Sequence, residues 1–203
     1  MIRIVTAPLV YPVTLAEARL WSKAFSDVTA DDTIYTALIA AMTEYAEHLT
    51  GRAFVERTLE LSLPRFPACI ELPWPPLIGI DSIAYTDTDE AAQTFAAASY
   101  EVDTVSQPGR VRPISTSAWP SIGTRFNPVR VQYRAGYRPT GSPTDLTDNS
   151  YLPGQLRIWM QARISTLYDQ REQLVAGQGG IAAIPRDFCD GLLDSLVIGS
   201  RLF

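Results

Sequence analysis

Apolar positions change their period twice along the 203-residue chain. Leu15, Ala18, Trp21 and Phe25 recur at spacings of three and four, which predicts a helix with one buried stripe. Thr14 and Glu17 stand at the head of that stripe in the spacing of a capping box. There each side chain satisfies a backbone N–H that the first turn leaves unpaired. A second helix is predicted over 31–50. Asp31 or Asp32 caps its start, Ile34, Leu38, Met42, Tyr45 and Leu49 share one face, and Ala37, Ala40, Ala41 and Ala46 permit close packing beside it. Gly51 follows, where a left-handed residue ends a helix at little cost.

From Arg52 the period becomes two. Val55, Arg57, Leu59, Leu61 and Leu63 fall on one side of a predicted strand, and Glu56, Thr58, Glu60 and Ser62 on the other. Pro64, Pro67, Pro73, Pro75 and Pro76 then separate short strands at "IEL" and "IGIDSIAYT". "TDTDEAAQTF" reads as a hairpin turn, "SYEVDT" as a strand, "SQPG" as a turn and "PVRVQYRAGY" as the last strand. After a loop dense in turn residues, Pro153 opens a helix over 154–174 with Leu156, Trp159, Met160, Leu167 and Leu174 on a broad apolar face. "AGQGG" reads as a flexible breaker, and Phe188, Leu192, Leu193 and Leu196 fit a short amphipathic helix.

The resulting order, α-α-β-β-β-β-β-α-α, is an α+β class. Helices with one apolar face each pack as a bundle, so we expect an α-helical bundle core with a β-rich insertion between the second and third long helices. The expected division is 1–53 with 147–203 as the helical core and C-terminal tail, and 54–146 as the insertion.

Composition sharpens this. Hydrophobic residues make up 46% of the chain and charged residues 19%, below the usual quarter, which suits a surface made partly for protein partners. Cys69 and Cys189 are far apart, in no metal-ligand or disulfide-framework spacing. Pro8 and Pro12 interrupt the early apolar run, which argues against a signal peptide, and no stretch is long enough to predict a membrane span. Sixteen of the seventeen basic residues are arginine, a residue suited to planar interface contacts; a GC-rich genome explains the bias equally well.

Chemistry is sparse. Glu44 and His48, four apart, share a helix face beside Glu47, but His48 is the only histidine and a metal needs more ligands. A solvated helix end, with the imidazolium favoured by the helix dipole, is the simpler reading. Neither phosphate-binding glycine motif nor G-x-S-x-G occurs, and the "DTDE" run at 87–90 lacks the remaining positions of a calcium loop. We therefore expect no catalytic, cofactor-binding or metal-ligating residues. A small metal-dependent enzyme using Glu44 and His48, or a nucleic-acid-binding module using the arginines, stands as the alternative.

The order of charges is uneven. Between Arg65 and Arg110 lie seven acids and no base: Glu71, Asp81, Asp87, Asp89, Glu90, Glu101 and Asp103. Between Asp103 and Asp145 lie Arg110, Arg112, Arg125, Arg130, Arg134 and Arg138 and no acid. Either the strands carry the two sets to different faces, which suits head-to-tail association, or antiparallel pairing interleaves and neutralises them. The chain's last residues, "LLDSLVIGSRLF", are apolar, as for a tail tucked into its own core or waiting for a partner.

In sequence order, "PVTLAEAR", "AEHLTGRAF", "LELSLPRFP", "LPWPPLIGIDSIAYTD", "YEVDTVSQPGRV", "AWP", "VRVQYRAGY" and "IPRDFCDGLLDSLVIGSRLF" resemble the head–tail connector (adaptor) proteins of long-tailed bacteriophages and related gene transfer agents. The similarity runs over nearly the whole chain, departing in the loop 139–152 and at "AGQGG". It implies a non-catalytic protein of the virion neck, made in the host bacterial cytoplasm. It implies a homo-oligomeric ring, commonly of twelve copies, below the portal protein. Such a ring extends the DNA channel without reading the sequence of the double-stranded DNA, and offers a platform for stopper or tail proteins; no membrane is involved. It also implies a tail that docks on the portal, here Leu196, Ile198, Ser200, Arg201, Leu202 and Phe203. Arg110, Arg112, Arg125, Arg130, Arg134, Arg138, Asp87, Asp89 and Glu90 are candidate ring or channel charges.

Overall fold

The computed structural model describes residues 1–8, 10–23, 29–138, 149, 151–169, 174–177, 180–183 and 190–198. The chain divides into two compact units, Met1–Leu9 with Gly51–Arg138, and Val10–Thr50 with Pro139–Phe203.

The first unit is built of sheets. Strands β1 (Ile2–Thr6), β2 (Arg57–Leu63), β4 (Leu77–Thr86), β5 (Ala92–Thr94) and β8 (Val129–Ala135) form a five-stranded sheet in the order β1-β2-β8-β4-β5, every neighbouring pair antiparallel. Strands β3 (Ile70–Leu72), β6 (Tyr100–Asp103) and β7 (Gly109–Pro113) form a second antiparallel sheet, β3-β7-β6. Leu59, Leu61, Leu77, Ile83, Val129, Val131 and Tyr133 of the first sheet share one buried cluster with Ile70, Leu72 and Val111 of the second. The period-two pattern predicts this, since alternate residues of a strand face one side. Phe66 stacks on Trp119 with ring centroids 4.6 Å apart, and Phe95 lies 5.2 Å from Trp119, at the half-buried margin of that cluster.

The second unit holds α1 (Leu15–Trp21), α2 (Asp32–Thr50) and α3 (Gly154–Asp169). The capping box forms: Glu17 N–H donates to Thr14 Oγ1 (3.2 Å), and Thr14 N–H to Glu17 Oε2 (2.8 Å). α2 ends at Gly51, whose φ of +69° is the left-handed stop. Tyr35 of α2 stacks on Tyr168 of α3 at 4.4 Å, and Tyr45 on Trp159 at 6.1 Å.

Several expectations are corrected. An α+β class is observed, but not a helical bundle with a β insertion. α1 has only seven residues, and the β unit owns a large apolar core of its own between two sheets. β1, β5 and β7 were not anticipated: "IRIVT" and "GRVRP" are too short to show a period, and "AQT" lies within the stretch read as a hairpin turn. The core face of α2 is Tyr35, Ile39, Thr43, Ala46, Glu47 and Thr50, one position round from the predicted stripe; Ile34 and Tyr45 are 38% and 39% exposed. α3 spans Gly154–Asp169, with 170–173 outside the described residues, and its buried face is Leu156, Trp159, Met160 and Ile164, with Leu167 exposed. In place of a helix end and breaker, Leu174–Gly177 (β9) and Gly180–Ala183 (β10) pair antiparallel. Where a short helix was expected near the C-terminus, two single 3₁₀ turns stand at Asp190–Leu192 and Asp194–Leu196; Phe188 and Cys189 lie outside the described residues.

Candidate functional site

The charged residues singled out by sequence lie mostly on the β unit, and strand pairing decides their arrangement. β7 sits between β3 and β6, with Arg110 opposite both Glu71 and Asp103, and Arg112 opposite Glu101. Residues directly opposite in an antiparallel pair share a face, so the acids and bases interleave. Arg110 pairs with Glu71 at 3.5 Å and Arg112 with Glu101. On the outer face of the larger sheet Arg134 bonds Asp81 (3.0 Å) and Glu56 (3.5 Å), and Arg138 approaches Glu56 at 3.7 Å. Four of the six arginines are therefore neutralised within the unit. The linear segregation of charge does not become an acidic face and a basic face.

Two arginines of that set escape. Arg125 and Arg130 are exposed, and neither is ion-paired with another described residue; Arg65, just beyond β2, is the same. The acids of the β4–β5 turn divide likewise. Asp87 accepts from Gln93 Nε2 (3.0 Å) and from the N–H groups of Ala91 (2.9 Å) and Asp89 (3.0 Å), and these bonds hold its carboxyl below the ordinary aspartate value. It shapes the turn, whereas Asp89 and Glu90 stand exposed on it. Beside Arg125, Phe126 is 101% exposed, an aromatic ring held wholly in solvent.

The region that carries the sequence resemblance is structural. Backbone N–H groups of Ala53 and Gly136 donate to the carbonyls of Pro75 (3.1 Å) and Pro76 (2.9 Å). Phe54 stacks on Tyr137, with centroids 6.2 Å apart, and Val55 bridges Tyr137. The "GRAF", "PWPPL" and "YRAGY" strings thus meet at one end of the β unit. Gly136 is obligatory there: its φ is +123°, and a Cβ would fall 2.5 Å from the Val55 carbonyl.

Within the helical unit, Glu17 gathers donors from Thr14, Asn149 (2.9 Å) and Arg157, while Asn149 also reaches the Pro12 carbonyl (2.8 Å). Partial burial pushes the Glu17 carboxyl up, but hydrogen bonds from Thr14, Asn149 and Arg157 outweigh it and hold the group below the ordinary glutamate value. Tyr168 donates to Asp31, and that bond, more than its surroundings, pushes the phenol up to about 12. Both groups brace helices. Glu44 and His48 are exposed, and no group of three potential metal ligands occurs among the described residues. No described helix is long and apolar enough to cross a membrane.

Of the predicted tail, Leu196 is buried and Ile198 N–H donates to the Thr50 carbonyl at the end of α2 (3.0 Å). Ser200, Arg201, Leu202 and Phe203 lie outside the described residues.

The fold matches solved particle components. A chain of the virion of a native gene transfer agent particle superposes with a TM-score of 0.76 at 20% identity, covering 98% of this chain and 96% of that one. Chains from the neck of an empty gene transfer agent particle computed with C6 symmetry, and from the neck of a native particle computed with C12 symmetry, give TM-scores of 0.74 and 0.68. Identities are 21% and 20%, with the same coverage. At that identity the likeness establishes the fold. No family model and no curated protein matches the chain.

Proposed function

We propose that this chain is a structural head–tail adaptor of a tailed-phage-like particle, built into the neck as a ring below the portal. The observation that carries the reading is the end-to-end match of fold to chains from gene transfer agent particles, two of them from necks computed with C6 or C12 symmetry. The match covers both chains almost completely, so the likeness is one of the full chain and not of a fragment. The surface agrees: exposed Phe126, Ile34, Tyr45 and Ile158 on a chain poor in charge suit protein contacts.

In this reading twelve copies ring the channel through which double-stranded DNA passes, held by portal on one side and by stopper or tail proteins on the other. Leu196 and Ile198 anchor the last segment to the helical unit, and Ser200, Arg201, Leu202 and Phe203 dock on the portal. Deletion of 197–203 tests this. The truncated protein is expected to keep its far-ultraviolet circular dichroism and to lose co-sedimentation with portal assemblies. Truncated protein that binds portal as well as the full chain removes the tail from the docking surface. An electron cryomicroscopy map of the particle neck without this fold removes the adaptor reading altogether.

A further inference from the structure

The five-stranded sheet ends in two open edges that differ in charge surroundings. On one side β1 pairs, among the described residues, only with β2, and Arg3–Thr6 are exposed, including Ile4 and Val5. Met1 and Ser62 exchange both backbone bonds (3.0 and 2.9 Å). Antiparallel ladders alternate, so Arg3 also faces Glu60, and the N–H and C=O groups of Ile2 and Ile4 point away from the sheet. On the other side all three residues of β5 are exposed. Phe95 N–H bonds the Ile83 carbonyl and Asp87 N–H the Ala91 carbonyl, which leaves the groups of Ala92 and Thr94 pointing outward. Each edge therefore offers two unpaired residues at the same i, i+2 spacing. β1 has none of the usual guards: no proline, no lysine, and one charge, Arg3, which is held by Glu60 at 3.1 Å.

The register places Ile2, Leu63, Val129, Tyr85 and Ala92 at one end of the sheet. At that end Arg65, just beyond β2, stands next to β1, exposed and unpaired among described residues; Arg130 lies on the central strand β8, and Asp89 and Glu90 stand beside β5. Five strands in antiparallel order make β1 and β5 run the same way. A second copy placed head to tail therefore sets its β1 parallel to β5 of the first. It also brings the arginine-bearing side of its sheet up to the acidic turn.

We propose that copies of this chain associate through these edges, β5 of one against β1 of the next, with Asp89 and Glu90 facing the neighbour's Arg65. The contact is heterologous, so it propagates around a ring or along a filament. It deepens the neck-ring reading, on which its assembled context rests.

The test is sedimentation velocity from about 1 μM to about 1 mM, a range that spans weak self-association. Wild-type protein is expected to form a concentration-dependent series beyond dimer that weakens as salt rises. Ile4→Pro and Thr94→Pro each remove one outward N–H and leave the bonds to β2 and β4 intact. Each is expected to weaken association at least about tenfold. Mixed together they are expected to form one-to-one dimers and nothing larger, because each keeps one open edge; that dimer also shows both variants to be folded. Asp89→Arg is expected to weaken association without a change in thermal stability.

Wild type that stays monomeric throughout overturns the proposal, as does a mixture that does not pair. So does a dimer lost in Ile4→Pro but kept in Thr94→Pro, which would be a two-fold β1–β1 contact. Particle rings whose neighbours meet without strand pairing overturn the edge contact and leave the neck reading intact. Necks that lack this chain do the reverse.

Discussion

Two residues carry more of the structure than their chemistry suggests. Gly136 lies where β8 leaves the sheet, with the Val55–Glu56 backbone 2.5–2.6 Å from where a side chain would begin. Gly136→Ala is expected to cost about 2–4 kcal/mol, from positive φ and backbone overlap together, and thermal or urea unfolding measures it. Glu17 is legible in sequence as half of a capping box; its bonds to Asn149 and Arg157 are not, because those partners are more than 130 positions away. Its folded pKa is depressed, so the stability it contributes is present above its unfolded value of about 4.3 and is lost as pH falls through the folded value. Glu17→Gln is therefore expected to lower the melting temperature at pH 7. The gap from wild type should narrow below about pH 4 and close once both states bind the proton, as melting curves from pH 2.5 to pH 7 would show.

At the scale of elements, the strands were easier to read than the helix faces. Leu59, Leu61, Val129, Val131 and Tyr133 alternate cleanly because one side of each strand meets a packed second sheet. α2 carries apolar residues round more than half its circumference, so two stripes compete, and only its packing selects Tyr35, Ile39 and Ala46. Ile39→Ala is expected to cost about 2–5 kcal/mol, and Ile34→Ala about 0.5 kcal/mol or less, in urea titrations; the predicted stripe would require the opposite order. β1 and β7 escaped notice for a different reason: a five-residue strand holds too few alternations to stand out, and its identity comes from the neighbour it pairs with.

For the molecule as a whole, charge gives the clearest lesson. Read linearly, acids and arginines form two blocks; folded, hairpin and sheet pairing returns most of them to each other as exposed pairs of small energetic weight. What survives is local, at one end of one sheet, where Arg65 beyond β2 stands across the strand order from Asp89 and Glu90 on the β4–β5 turn. That residue of imbalance, with two open strand edges, makes the β unit suited to head-to-tail contact. In the proposed contact each edge is short and screened by salt, so assembly is expected only where many contacts add.

The sequence by itself determined the α+β class, the capped start of α1, the glycine stop of α2 and the inward side of the long strands. Each of these follows from residues within a few positions of one another. The family resemblance also rests on local strings. Tertiary structure alone decided which side of α2 is core, that the β unit has a core of its own between two sheets, and that the charged blocks cancel. It also brought Pro75, Pro76, Val55 and Gly136 together and left β1 and β5 as open edges. These depend on which strand lies beside which, a choice made by burial and backbone pairing between segments up to about 130 residues apart, as β1 and β8 at either side of β2 illustrate.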